Sequence, residues 1–135
     1  MNKKIPFQNK EIHYRVIGNG ASVVLIHGFG EDGTIWDKQV DALKDYFKLI
    51  VPDLPGSGLS PILNGACTIE ILAESIYTIL KGESITSTVV IGHSMGGYIT
   101  LAFAEKYPQM LKGFGLFHSS VYPDNDEKKE ARRKS

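Results

Sequence analysis

Between residues 88 and 98 the chain reads Thr-Val-Val-Ile-Gly-His-Ser-Met-Gly-Gly-Tyr, and no other stretch restricts the fold as much. Three β-branched residues, Val89, Val90 and Ile91, run into Gly92-x-Ser94-x-Gly96, and a helix-forming segment follows at once. A strand, a tight turn carrying one serine, and a helix are the parts of a nucleophile elbow. The serine must sit at a strained backbone angle on a turn so sharp that strand and helix nearly touch. Gly92 and Gly96 lack the Cβ atoms that would collide there. Such a turn holds a hydroxyl clear of the sheet and aims the first amides of a helix at the same point.

The 135 residues, 42% of them hydrophobic, suffice for one domain with a real core and are too few for two. Fifteen basic and fifteen acidic side chains balance, which argues against a nucleic-acid binder. Cys67 is the one cysteine, so no disulfide forms within the chain and no cysteine cluster holds a metal. No cofactor is implied: Gly56-Ser57-Gly58 lacks the lysine that a phosphate-binding loop requires. Met1 to Lys10 contain no apolar run of signal-peptide type, and no stretch nears the ~20 apolar residues that cross a bilayer. With its single thiol, the chain is expected to be cytoplasmic, with no membrane partner.

Read in order, Glu11 to Ile17 alternates as a half-buried strand does, and Gly18-Asn19-Gly20 turns the chain. Val23 to Ile26 is continuously apolar, the pattern of a strand covered on both faces. From Thr34, the residues Ile35, Trp36, Val40, Leu43 and Phe47 fall near helical spacing, predicting a helix over this region. Leu49 to Val51 is the next strand, stopped by the turn formers of Pro52 to Gly58. Thr68 is placed to cap a helix whose apolar face is Ile69, Leu72, Ile76, Ile79 and Leu80, with Glu70 near its start. After the serine a helix runs to Tyr107, halted by Pro108, and Gly113 to Phe117 reads as a strand ending at His118. Strands alternating with helices predict an α/β fold: a mostly parallel central sheet with helices on both faces. From Asp124 onward charges of both signs leave one apolar residue, Ala131, as in a solvated tail.

Ser94 alone is a poor nucleophile and needs a base and an oxyanion hole. One donor would be the N–H of Met95, the residue after the serine. The other comes from a loop after an earlier strand, a role that suits His27-Gly28-Phe29-Gly30 with Phe29 N–H as donor. Each donor is worth about 3 to 4 kcal/mol to a tetrahedral transition state.

His27-Gly28-Phe29-Gly30, then Asp53-Leu54-Pro55-Gly56-Ser57-Gly58-Leu59-Ser60, then Gly92-His93-Ser94-Met95-Gly96-Gly97 resemble three consecutive signatures of the α/β-hydrolase superfamily, most of all its esterase-like serine branch. The resemblance covers residues from about 10 to 120. It implies Ser94 as nucleophile, Phe29 and Met95 as oxyanion-hole donors, and a small-molecule carboxylic ester or related carbonyl as substrate. His27 and His93 would be structural or line the pocket, with Phe29 and His93 as substrate-binding candidates and Met95 facing the same pocket. A serine at 94 argues against the branches that use an aspartate nucleophile. Ser57 stands where many relatives carry a histidine, a departure that touches loop packing.

In that family the acid and then the histidine base follow the serine. Here the one later histidine is His118, at a strand end beside the elbow strand, whereas the family's base follows the last strand. His13 lies in an early strand, expected on the far side of the sheet. The resemblance therefore implies the N-terminal part of a hydrolase core over 1–122, with 123–135 starting the region where relatives carry a cap domain. The last two strands would be missing, leaving the strand at 113–117 as an open edge that invites self-association or pairing with the remainder of the protein. The alternative is a catalytically inactive scaffold that binds a partner chain or an acyl ligand.

Overall fold

Val23 and Leu25 turn to one face of their strand and Val24 and Ile26 to the other, and this alternation builds two cores rather than one. The computed structural model describes residues 1–65 and 67–117, so His118 and the charged tail lie outside the described residues. The strands are β1 (Asn2–Phe7), β2 (Lys10–Ile17), β3 (Ala21–Ile26), β4 (Phe47–Pro52), β5 (Thr88–His93) and β6 (Leu111–Phe117). The helices are α1 (Asp37–Leu43), α2 (Ile69–Gly82) and α3 (Met95–Lys106), with 3₁₀ turns at Gly33–Trp36 and Pro108–Met110. The sheet runs β1-β2-β4-β3-β5-β6. β4, β3, β5 and β6 are mutually parallel, while β2 joins β4, and β1 joins β2, antiparallel.

On one face Val23, Leu25, Leu49 and Val51 pack against Trp36 and Val40. On the other, Val24, Ile26, Ile50 and Val90 meet Ile76, Ile79 and Leu80 of α2 and Ile99 and Phe103 of α3. The sheet is thus mostly parallel and covered on both faces. α2 begins where its sequence says it should: the Thr68 hydroxyl accepts the Ile71 N–H at 3.1 Å, with Glu70 in the first turn.

Three elements depart from expectation. The helix predicted from Thr34 to Phe47 is a 3₁₀ turn followed by a helix that stops at Leu43, and Phe47 opens β4 opposite Ala21. The apolar spacing over 34–47 therefore mixes two elements that serve the same core. β1 was not foreseen: it pairs with β2 through a hairpin in which Gln8 and Asn9 take φ of 48° and 64°. Its alternation is hidden because Lys3 occupies an inward position, its ammonium held by Glu83 at 3.0 Å. The last strand starts at Leu111, two residues early. Among the described residues no helix is long and apolar enough to cross a membrane.

Candidate active site

β5 ends at His93 and α3 starts at Met95, leaving one residue to reverse the chain. That residue, Ser94, has φ 58° and ψ −118°, a conformation that costs an L-amino acid about 1–3 kcal/mol. Its carbonyl accepts the Gly97 N–H at 2.8 Å, and its own N–H donates to Phe117 O at 2.9 Å, so β6 also pins the turn. A Cβ on Gly92 would run into the Gly96 carbonyl and the Thr100 hydroxyl; one on Gly96 would run into the Ile26 carbonyl at the end of β3. Backbone meets backbone here, which only glycine permits.

β3 leads into His27, which is fully buried. Its Nε2 accepts the Leu54 N–H at 2.9 Å, so the proton sits on Nδ1 and is donated to Gly28 O at 2.8 Å. His27 thereby ties the loop after β3 to the loop after β4, a structural role. The loop after β3 lies against the elbow: a side chain on Gly28 would stand 3.0 Å from Ser94 Cβ and 2.9 Å from His93 O. Among the described residues neither the Phe29 N–H nor the Met95 N–H donates a hydrogen bond. The Met95 amide opens the twelve-residue helix α3 and so lies at its positive dipole end.

The Phe29 side chain, 86% exposed, and Met95 both line an open cleft of about 1020 Å³ that continues over Ile35, Leu54, Ile62 and Leu72. Ser94 is half-buried and is not itself among the residues lining the cleft, although the next residue, Met95, is. His93 does not line the cleft. Its Nδ1 lies 3.0 Å from Glu31 Oε1, and its ring sits edge-on to Trp36 at 6.3 Å. Asp32, at the cleft wall, has its carboxyl held below the usual range by the side-chain and backbone hydrogen bonds of Thr34.

Two acidic residues organise the loops: Asp53, which opens the second of the three signatures but had no role assigned from the sequence, and Glu31, which nothing in the sequence singled out. Asp53, the first residue after β4, accepts the Gly33 N–H at 2.8 Å and the Leu59 N–H at 3.0 Å. Its other contact is His13 Nδ1 at 3.1 Å, so His13 sits at the loop-bearing end of the sheet, away from the elbow and buried beside Asp53. The polar position in the alternation of β2 is thus filled by a ring hydrogen-bonded to a carboxylate rather than turned to water. Glu31 accepts the Gly28 N–H at 2.6 Å, closing the loop from three residues away. A short-range carboxylate after a Gly-x-Gly turn is the one signal that could have marked it.

A glycine-flanked serine on a strained strand-to-helix junction, set at the end of a central parallel strand, is an arrangement of the α/β-hydrolase class. The family model described as "alpha/beta hydrolase fold" matches residues 21–132, and the chain belongs to that family. It is similar to a thermophilic esterase from Thermogutta terrifontis at 37% identity and a TM-score of 0.80, covering 98% of this chain and 51% of that one. The pimeloyl-[acyl-carrier protein] methyl ester esterase of Wigglesworthia glossinidia brevipalpis is 34% identical over 82% of this chain and 41% of its own length. The N-acyl homoserine lactonase AidH, solved with N-butanoyl homoserine, superposes with a TM-score of 0.81 at 27% identity, over 86% of this chain and 44% of that one. The chain spans about half or less of the length of each of these relatives.

Proposed function

We propose that this chain carries the nucleophile and the oxyanion hole of a serine hydrolase acting on small-molecule carboxylic esters or related carbonyls. A base from outside the described residues takes the Ser94 hydroxyl proton as Oγ bonds to the carbonyl carbon, and the carbonyl oxygen takes up negative charge between the Phe29 and Met95 amides. Collapse expels the alcohol, which leaves with that proton. Water then gives a proton to the same base, attacks the acyl carbon and releases the acid, and the proton returns to Ser94 Oγ. The observation that carries this reading is the strained backbone of Ser94, a cost that persists where the surroundings hold it for a purpose. The ester- and lactone-cleaving names of the relatives support it, as does the apolar lining of the cleft, which suits an apolar acyl group. Residence in the cytoplasm belongs to the same proposal and rests on the single thiol.

A fluorophosphonate reagent tests the site, because it needs an activated serine. Labelling that maps to Ser94 and vanishes in Ser94→Ala is expected. Labelling that survives that substitution, or its complete absence in the unaltered chain, overturns the assignment.

One observation favours the inactive-scaffold alternative. None of the three described histidines is hydrogen-bonded to Ser94: His13 is held by Asp53, His27 by Leu54 and Gly28, and His93 by Glu31. Among the described residues the outer edge of β6 is also unpaired, and in that reading it receives a second copy or a separate chain. A strictly monomeric chain in light scattering would remove this second reading's partner.

A further inference from the structure

Phe29 would be an awkward residue to supply a preset donor. It lies between two glycines, Gly30 has φ 77°, and its own side chain is almost fully exposed, so neither packing nor backbone stiffness orients its amide. Something else must hold the peptide plane. Gly28 is gripped at both of its polar atoms: its N–H donates to Glu31 Oε1 at 2.6 Å, and its carbonyl accepts the Glu31 N–H at 3.3 Å as well as His27 Nδ1–H at 2.8 Å, so the Glu31 carboxylate alone holds the amide side. The same carboxylate oxygen lies 3.0 Å from His93 Nδ1. An ionised carboxylate has no proton to give, so the ring nitrogen donates. His93 is steadied in turn by the buried Trp36, edge to face, and it immediately precedes Ser94.

We propose that Glu31 is the positioning residue of the oxyanion hole. A single oxygen staples the loop carrying the Phe29 amide to the strand end carrying the serine, so that donor and nucleophile move as one body. The proposal rests on the reading of Ser94 and Phe29 given above and adds a residue to it. Negative charge here is of no use to the reaction, since an oxyanion forming nearby is repelled by it. What the site needs from residue 31 is an acceptor at the right reach. The order of substitutions follows: glutamine keeps the acceptor and the reach, aspartate keeps the charge but is one methylene short, and alanine loses both.

The test is the rate of fluorophosphonate labelling of Ser94 across reagent concentration in the full chain. Glu31→Ala and Glu31→Asp are expected to lower the maximal rate about tenfold or more, with little change in the half-saturating concentration, and Glu31→Gln to recover most of it. A ring of fixed orientation at 93 is part of the same staple, so His93→Phe should also lower the rate. Recovery by aspartate and not by glutamine would mean that charge matters and would overturn the proposal, as would an alanine variant that reacts at full rate. Backbone ¹⁵N relaxation at Phe29 gives a reading free of chemistry: the amide should become mobile in the alanine and aspartate variants and stay rigid with glutamine. A Phe29 amide equally rigid in all four proteins sinks the inference even where Ser94 labels normally, whereas failure of Ser94 to label with a rigid Phe29 sinks only the serine-hydrolase reading.

Discussion

A side chain on Gly28 would stand 3.0 Å from the Cβ of Ser94, closer than neighbouring groups in a relaxed protein comfortably approach. The loop after β3 and the elbow after β5 are therefore in contact at a position that admits no more than a hydrogen. Gly28→Ala must push the loop away from Ser94, from the His93 carbonyl and from Glu31 together. The expected cost is about 1–3 kcal/mol in urea unfolding, with a far larger loss in the rate of Ser94 labelling. Equal losses of stability and labelling would mean that the contact serves packing alone.

Gly96 and Gly97 are neighbours in α3 with opposite forecasts. A Cβ at 96 meets the backbone of Ile26 and His27, which cannot rotate out of the way, whereas a Cβ at 97 meets only Leu116 Cδ2 at 3.5 Å, an ordinary contact. Gly96→Ala is expected at or beyond the upper end of the about 1–3 kcal/mol range for overpacking. Gly97→Ala should instead gain up to about 0.5–1 kcal/mol, because alanine loses less backbone freedom in a helix. Thermal denaturation of the pair, measured side by side, checks both signs.

Glu83, at the end of α2, is bound by the Tyr14 hydroxyl at 2.6 Å and by Lys3 at 3.0 Å. Burial pushes its carboxyl up, but the hydrogen bonds from Tyr14 and Lys3 and the charges of Lys3 and Lys48 outweigh it, and the net shift is downward from 4.5. Burial and the same carboxylate push the Tyr14 phenol well up. A lowered carboxyl stabilises the fold fully above its unfolded value and loses that contribution as pH falls through the lower, folded one. Glu83→Gln should therefore destabilise at pH 7 and cost progressively less below about pH 4.5, as followed by urea midpoints across pH. A penalty independent of pH would show that the ionised form is not what the clasp holds.

His27 spans two loops with both ring nitrogens. His27→Ala leaves the Leu54 N–H and the Gly28 carbonyl without their partner, each worth about 1–3 kcal/mol when buried and unpaired. Urea unfolding should show a loss at the sum of two such groups, and fluorophosphonate labelling should fall with it because the loop carrying Phe29 is released.

Much of the fold was written in patterns a few residues long. Val23 to Ile26, the Thr68 cap, the apolar face of α2 and the strained turn at Ser94 all depend on neighbours within one turn or one strand, so composition and spacing suffice to read them. The stretch from Thr34 to Phe47 misled because a 3₁₀ turn, a short helix and the start of a strand bury their apolar groups on the same face and imitate one long helix. β1 was hidden by an inward lysine whose partner, Glu83, is eighty positions away.

By itself the sequence pointed to a serine raised between a strand and a helix, since β-branched residues run into Gly-x-Ser-x-Gly, whose glycines permit the close turn, and a helix-forming segment follows at once. Only the tertiary structure decided what surrounds that serine. Gly28 meets Ser94 and Glu31 meets His93 because the parallel strands β3 and β5, distant in the chain, end side by side at one edge of the sheet, and Asp53 meets His13 because β2 lies antiparallel beside β4. Those meetings are set by strand order and register, which spacing along the chain does not encode.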